Sequence, residues 1–203
     1  MEYAAIILFA IATCITPGPN NTMILTSGLN YGIRKSLPHY FGIVLGFSAM
    51  VLGVGLGLAS LFNQNPSLHI FLKLTGAIYL SYLAYKIATA PVDEKLKSGS
   101  KPFTFIQAAA FQWVNPKAWV LAIGATATYT VANDSYGLQV LIISIIFLIF
   151  GSPCIMLWLW FGSELKRFLQ KPGSVRIFNV TMALLLMGSL LPVFMDLTME
   201  FGR

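Results

Sequence analysis

Apolar residues fill six long stretches of this chain, parted by short polar segments. Four of the stretches, 40–62, 68–90, 136–161 and 175–197, each reach the ~20 residues that an α-helix needs to cross bilayer hydrocarbon. The other two, 3–29 and 103–131, are interrupted near the middle by Pro17-Gly18-Pro19-Asn20-Asn21 and by Asn115-Pro116-Lys117. Residues 4–16 number only 13. That is about 20 Å of helix, short of a hydrocarbon core ~30 Å thick. Each interrupted run therefore spans only if the chain continues across its break. The pattern predicts an all-α integral membrane protein with six transmembrane helices, the first and fourth of them broken.

Three of these spans precede the polar stretch 91–102 and three follow it. Pro91, Asp93, Glu94, Gly99 and Pro102 mark that stretch as an exposed loop. Because three is odd, the second half must cross the membrane in the opposite sense to the first. The order of elements and the matching positions of the breaks predict two inverted three-helix repeats, about 1–90 and about 103–203, joined by the linker 91–102 in a single transporter domain covering 1–203. Irregular backbone at bilayer depth is tolerated only where protein or a water-filled cavity satisfies its polar groups. Paired interruptions in the two halves of a transporter point to its binding site. The chain thus reads as a carrier of small solutes.

Composition supports a membrane protein: 57% of residues are hydrophobic and 10% charged, against about 25% charged in ordinary soluble domains. The net charge of +6 would suit a nucleic-acid binder, but its placement excludes that use. Arg34 and Lys35 fall in the first connection, Lys86, Lys95, Lys97 and Lys101 in or beside the third, and Lys166, Arg167, Lys171 and Arg176 in or beside the fifth. The second connection carries no basic residue and the fourth only Asp134. Basic residues mark cytoplasmic loops, so the odd connections are expected inside and both termini outside. Glu2 and Pro17-Gly18-Pro19 stand where a secretion signal would need a positive start and a small-residue cleavage site, so the first span is expected to be retained.

At each break, two half-helices present opposite ends to the middle of the membrane. Unpaired carbonyls are expected from about Thr13 to Thr16 and from Phe111 to Val114, and unpaired N–H groups near Asn20–Thr22 and Lys117–Trp119. Asn115-Pro116 fits a helix start, with Asn as cap and Pro at the first helical position. Asn20 or Asn21 can cap the other break. Amide donors suit a carboxylate and carbonyls suit an ammonium, so the set Pro17, Gly18, Pro19, Asn20, Asn21, Asn115, Pro116 and Lys117 is the candidate substrate site, with an amino acid as its simplest ligand. A cation near the bilayer middle costs several kcal/mol unless paired or hydrated, so Lys117 needs a compensating anion. The substrate carboxylate is the expected one, snorkelling or pairing within the protein the alternative.

The remaining candidates have plainer readings. Cys14 and Cys154 form no disulfide framework and read as small packing residues. His39 and His69 lie at span ends and read as interfacial. Gly42, Gly46, Ala49, Gly53 and Gly57 keep a spacing that brings helices close together, inside one chain or, alternatively, along a homodimer seam. Gly151-Ser152-Pro153 predicts a kink in the fifth span. No Asp or Glu lies in mid-span, so no carboxylate proton relay is legible, and Glu164 and Asp196 near span ends are the residual coupling candidates. No metal-ligand spacing, nucleophile elbow or phosphate loop appears, so neither an enzyme nor a cofactor is expected.

Several elements, in order from the first span into the fourth, resemble the lysine exporter (LysE/RhtB) family of bacterial amino-acid efflux proteins. They are Pro17-Gly18-Pro19-Asn20-Asn21, the Gly28, Gly32 and Arg34 stretch, Gly42 with Gly46, Gly76-Ala77 with Tyr79-Leu80, and Asn115-Pro116-Lys117. Ala84-Tyr85-Lys86-Ile87-Ala88-Thr89 resembles the cysteine/O-acetylserine exporter branch, and Ser36 stands where the family often has Gly. The resemblance implies a secondary exporter in the bacterial inner membrane, driven by the proton-motive force, with small amino acids as substrates. The competing readings are export of another small metabolite or a metal cation, which would call for acidic, His or Cys ligands along the path, and a membrane scaffold, which would gain nothing from two broken helices and Lys117.

With Cys14 and Cys154 first replaced, cysteines placed at Ser100 and Ser174 should resist an impermeant thiol reagent in intact cells, while one at Asn65 should react. The reverse pattern would invert the assigned sides.

Overall fold

The computed structural model describes residues 2–58, 66–90, 101–130, 135–169, 171–188, 190, 191 and 195. The expectations for Asn65, Lys95, Lys97, Ser100, Asp134 and Asp196, and most of the linker, fall outside them. Every element among the described residues is helical. Helix α1 (Tyr3–Ile15) ends at Thr16, whose extended backbone (φ −68°, ψ 141°) is what a residue before proline prefers. Gly18, before Pro19, is fully extended, and Pro19 opens α2 (Pro19–Gly53) at the position where a missing N–H does no harm. Asn115, before Pro116, is extended in the same way (φ −87°, ψ 109°). Both breaks thus have one local cause, the clash of a proline ring with a preceding helical residue.

The connection expected as a first loop is instead a break of one residue. Gly32 takes φ 76° and ψ 172°, a backbone conformation that only glycine adopts without strain. The helix resumes at once, so Arg34 and Lys35 lie in helix and not in loop. The second part of α2 closes in a π-helical turn, Val54–Leu58. Helix α3 (Pro66–Ala88) follows. Helix α4 (Phe105–Phe111) starts with a reciprocal cap between Thr104 and Gln107 and tightens into a 3-10 turn, Gln112–Val114, before the second break. Helix α5 is Pro116–Tyr129. Helix α6 (Tyr136–Ile146) leads through a π-helical turn, Phe147–Gly151, into α7 (Ser152–Phe168). At Gly151-Ser152-Pro153, where a kink is expected, the π turn passes into α7 with Gly151 and Ser152 both in right-handed helical conformation. Helix α8 is Pro172–Gly188.

Two helical tracts among the described residues, Pro19–Gly57 with its bend at Gly32 and Tyr136–Leu165, are long and apolar enough to cross a membrane. Leu8, Ile78, Ile106, Val120, Ile177 and Leu184 point outward, each 67–76% exposed. Apolar side chains bared on so many helices are what lipid accepts and water does not. Inside, one cluster joins α1 (Ile6, Ala10), the second part of α2 (Phe47, Met50), α5 (Ala118, Ala122) and α6 (Ile143). Another joins α3 (Leu80, Leu83) to α8 (Leu186).

Four glycines set the closest helix crossings. A β-carbon on Gly28 would collide with the Leu159 carbonyl, and one on Gly162 with the Leu25 carbonyl, so the first part of α2 touches α7 backbone to backbone. On the second part of α2, Gly42 lies against Phe105 and Ala108, and Gly46 against Ala109, which brings α4 equally close. These small residues therefore pack helices of one chain together. Gly124 in α5 has open space around it.

Gly28→Val or Gly162→Val should lower the stability of detergent-purified protein by about 3 kcal/mol or more, because neither backbone can retreat. Gly124→Ala should instead be neutral or stabilise by roughly 0.5–1 kcal/mol, by restricting the unfolded chain and favouring helix. Thermal melts of the three variants would show this ordering; equal effects would contradict these crossings.

Candidate functional site

The two breaks meet. Lys117, in the first turn of α5, reaches across to the end of α1 and donates from Nζ to the Thr16 carbonyl (2.8 Å), the Thr16 hydroxyl (2.9 Å) and the Pro17 carbonyl (3.2 Å). Its stem lies on Gly18, where a β-carbon would sit 2.8 Å from Lys117 Cδ. The C-terminal end of a helix carries partial negative charge. The cation disfavoured at the start of its own helix is thus favoured at the end of another.

The carbonyls expected to be free at the end of α1 are taken. The Thr13 carbonyl accepts from the Thr16 hydroxyl (2.8 Å), that of Cys14 from Asn21 Nδ2 (2.8 Å), and that of Ile15 from Trp158 Nε1 (3.1 Å). The Thr16 carbonyl accepts from Asn21 Nδ2 (2.8 Å) as well as from Lys117. Four orphan carbonyls at one helix end are thereby satisfied by Thr16 in the break and by side chains from three other helices. At the second break the Trp113 carbonyl accepts from Trp119 Nε1 at 2.8 Å.

Asn115 caps α5 as expected, its side chain accepting from the Lys117 backbone N–H at 3.2 Å, with Pro116 at the first position. Neither Asn20 nor Asn21 caps α2, whose cap position is Gly18 and lacks a side-chain bond. The physical reason is register: both asparagines already lie in the first turn, so their amides point away from it. Asn21 ties back across the break. Asn20 forms a two-way amide pair with Gln112, donating at 2.8 Å and accepting at 3.1 Å. Gln112, wholly buried, also donates to the Ala108 carbonyl at 2.8 Å. Sequence reasoning passed over Gln112, although an amide inside an apolar run, three residues before Asn115, was the signal available.

Gly18, Asn20, Asn21, Asn115 and Lys117 line one cavity together with Thr13 and Cys14, closed on its other sides by Ile43, Phe47, Leu121 and Phe147. About 40 Å³ of it is open to the centre of a water molecule. Pro17, Pro19 and Pro116 do not line it; they shape the backbone that does. Cys14 and Cys154 are both free thiols.

A second, wider cavity of about 470 Å³ lies along the opposite flank of the first part of α2. Thr26, Ser27 and Asn30 of α2, Tyr79 and Lys86 of α3, and Lys101 and Gln107 line it. His39 stands behind that wall. It is not interfacial, as its position at a span end suggested, but fully buried, with Nδ1 2.8 Å from the Ser27 hydroxyl and its ring 5.1 Å from that of Phe103. The Gly32 break is what folds the second part of α2 back and carries His39 inside. Among the described residues, no acidic side chain lines either cavity. No group of three or more His, Cys, Asp or Glu that could hold a metal occurs among the described residues.

The cavity sets amides and one lysine against an apolar wall, which gives it the means to bind a small solute. The sequence pattern of the family described as LysE type translocator matches residues 11–191. The cysteine/O-acetylserine efflux proteins of Escherichia coli (strain K12), Shigella flexneri serotype 5b (strain 8401) and Shigella sonnei (strain Ss046) are each 30% identical over 187 residues, 92% of this chain and 94% of the relative. No solved structure matches. With facing breaks, a lysine between them and a match running from α1 to the end of α8, the chain belongs to the LysE type translocator family.

Proposed function

We propose that this protein is a secondary exporter of small amino acids or their derivatives across the bacterial inner membrane, exchanging them for protons, with the substrate held between the two broken helices. Family membership makes it a membrane translocator, not an enzyme. The relatives' name directs the substrate class to cysteine, O-acetylserine and molecules of that size.

The observation that carries the reading is the reach of Lys117 across both breaks. Its ammonium is bonded to neutral carbonyls at the end of α1. A carboxylate is a stronger acceptor, since charge-assisted bonds are roughly twice as strong as neutral ones. Substrate arriving at Lys117 would therefore compete with Thr16 and Pro17 and loosen one break from the other. Binding and a change in helix arrangement become one event, which is what an alternating carrier needs.

The inverted repeat is supported by a reciprocal exchange of contacts. The first broken helix packs on the second half, with Trp158 Nε1 bonded to the Ile15 carbonyl and Gly162 against Leu25. The second broken helix packs on the first half, with Ala109 against Gly46 and Thr126 against Gly55. In this reading the basic ends of the helices face the cytoplasm and both termini face outward.

Lys117→Met should abolish or severely reduce efflux of labelled cysteine and O-acetylserine from proteoliposomes while membrane level stays normal. Methionine matches the length and is cheap to bury, and loss of the charge-assisted contact should weaken binding by about 2 kcal/mol, roughly 30-fold. Lys117→Arg should recover only part of the activity, since a planar fork is not a point charge. Efflux at the normal rate in Lys117→Met would remove the site from the breaks. Collapsing the proton gradient with an ionophore should stop uphill export by the unaltered protein.

Asn20→Ala should impair transport and stability together. It leaves the buried Gln112 amide without its partner, at a cost of about 1–3 kcal/mol, which a thermal melt of the variant would register.

A further inference from the structure

The cavity between the breaks has two unlike ends. Lys117, Asn21 and Asn115 stand at the breaks, and away from them the wall turns apolar. Leu121 lies one turn after Lys117 on the same face of α5, about 5–6 Å deeper. Ile43 and Phe47, a turn apart on the second part of α2, line this end as well, and Phe147 forms its floor. The depth of Phe147 is fixed from another side too, because its ring meets that of Phe9 (6.3 Å, 83°), one turn before Thr13 on α1. It also stands edge to face with Phe47 (5.2 Å, 89°). Phe47 and Phe147 are both buried. Rings interlocked in this way in a close-packed interior do not swing aside for a ligand.

The space is small. Its 40 Å³ open to water centres has room for about three waters, on the order of 100 Å³ of ligand. A carboxylate at Lys117 leaves the apolar end to whatever the substrate carries on its α-carbon. The described residues that line this end offer no charged partner, so a charged side chain would lose its hydration there without return, which is costly. An aromatic ring, placed beside an amino-acid backbone, overfills the space against the Phe47–Phe147 pair. An aliphatic side chain meets neither penalty. A wall of this kind sorts by size and charge and poorly by a hydroxyl: an apolar pocket resolves one methylene by about 10–200-fold and rejects an added hydroxyl no more sharply.

We infer that Phe47, Leu121 and Phe147 form the side-chain pocket of the substrate site and restrict it to amino acids with uncharged, non-aromatic side chains. The inference rests on the exporter reading and narrows its substrate class. The carboxylate and ammonium lie at the break end, with Lys117 and the asparagine amides, and the side chain points toward Phe147. Lysine, arginine and glutamate are excluded by charge, phenylalanine, tyrosine and tryptophan by size. The two ends divide the work of recognition. The break end holds the groups that all amino acids share, and the ring pair sorts the part in which they differ.

Counterflow of labelled cysteine into proteoliposomes containing the full-length protein, with unlabelled amino acids as competitors, tests this directly. For the unaltered chain, alanine, serine and O-acetylserine should compete with cysteine, while lysine, glutamate and phenylalanine should need about tenfold higher concentrations or more. Phe147→Ala should lower the inhibitory concentration of phenylalanine relative to that of cysteine by about tenfold or more, and leave lysine excluded. Because that change removes a core ring, Leu121→Ala, at a half-buried position, carries the same test with less risk to folding. A merely structural effect would shift all competitors together and leave these ratios alone. Phenylalanine or lysine competing as well as cysteine in the unaltered chain, or ratios unmoved in the folded variants, would overturn the pocket and leave the exporter reading standing. Absence of counterflow of any labelled amino acid by the unaltered chain would overturn both.

Discussion

The end of helix α1 is the constraint on which the rest of the structure depends. A helix that stops halfway through an apolar layer leaves four carbonyls without partners, and nothing in hydrocarbon can serve them. Here the donors come from Thr16 itself, Asn21, Trp158 and Lys117. Those residues belong to α2, α7 and α5 as well as to the break, so satisfying one helix end draws three others to it. The break is therefore a junction. It is also a place where a charged side chain can sit inside the molecule at tolerable cost, because the negative end of α1 is there to receive it.

What holds the junction in place is close packing of backbones. Without a hydrophobic drive between helices in lipid, association relies on van der Waals contact and on interhelical hydrogen bonds. Gly28 and Gly162 bring α2 and α7 together at one crossing, Gly42 and Gly46 bring α2 and α4 together at another. Helix α2 takes part in both because Gly32 bends it. Its first part sits between the two cavities and its second part braces α4. The same bend buries His39 against Ser27, on the wall of the wide cavity. One left-handed glycine thus organises the side of the molecule that the breaks do not.

The pieces also explain why the polar interior is strong in some contacts and incomplete in others. Around the breaks, the asparagines, Gln112 and Lys117 all have partners. Around the wide cavity, Asn30 Oδ1, Asn179 Nδ2 and His39 Nε2 have none. A satisfied network is rigid and specific, whereas enclosed donors and acceptors without partners favour a rearrangement that would pair them.

Much of this was legible in the chain before any coordinate. Apolar runs of helical length, the two proline breaks, the Asn115-Pro116 start of α5 and the singular position of Lys117 are local properties, set by steric exclusion before proline and by the cost of charge in an apolar layer. Proline alone was not a sufficient signal, since Pro38 lies within helix α2 and Pro153 follows a π turn without parting the chain. The bend at Gly32 was invisible as such, because a loop and a one-residue break share the same residues. The roles of Asn20, Asn21 and Gln112, the claimed carbonyls of α1, the burial of His39 and the wide cavity were decided only by tertiary structure. Each depends on partners as far as 143 residues away, or on which face of a half-helix meets a neighbour, and hydrogen bonds across such distances leave no period or motif in the sequence of either partner.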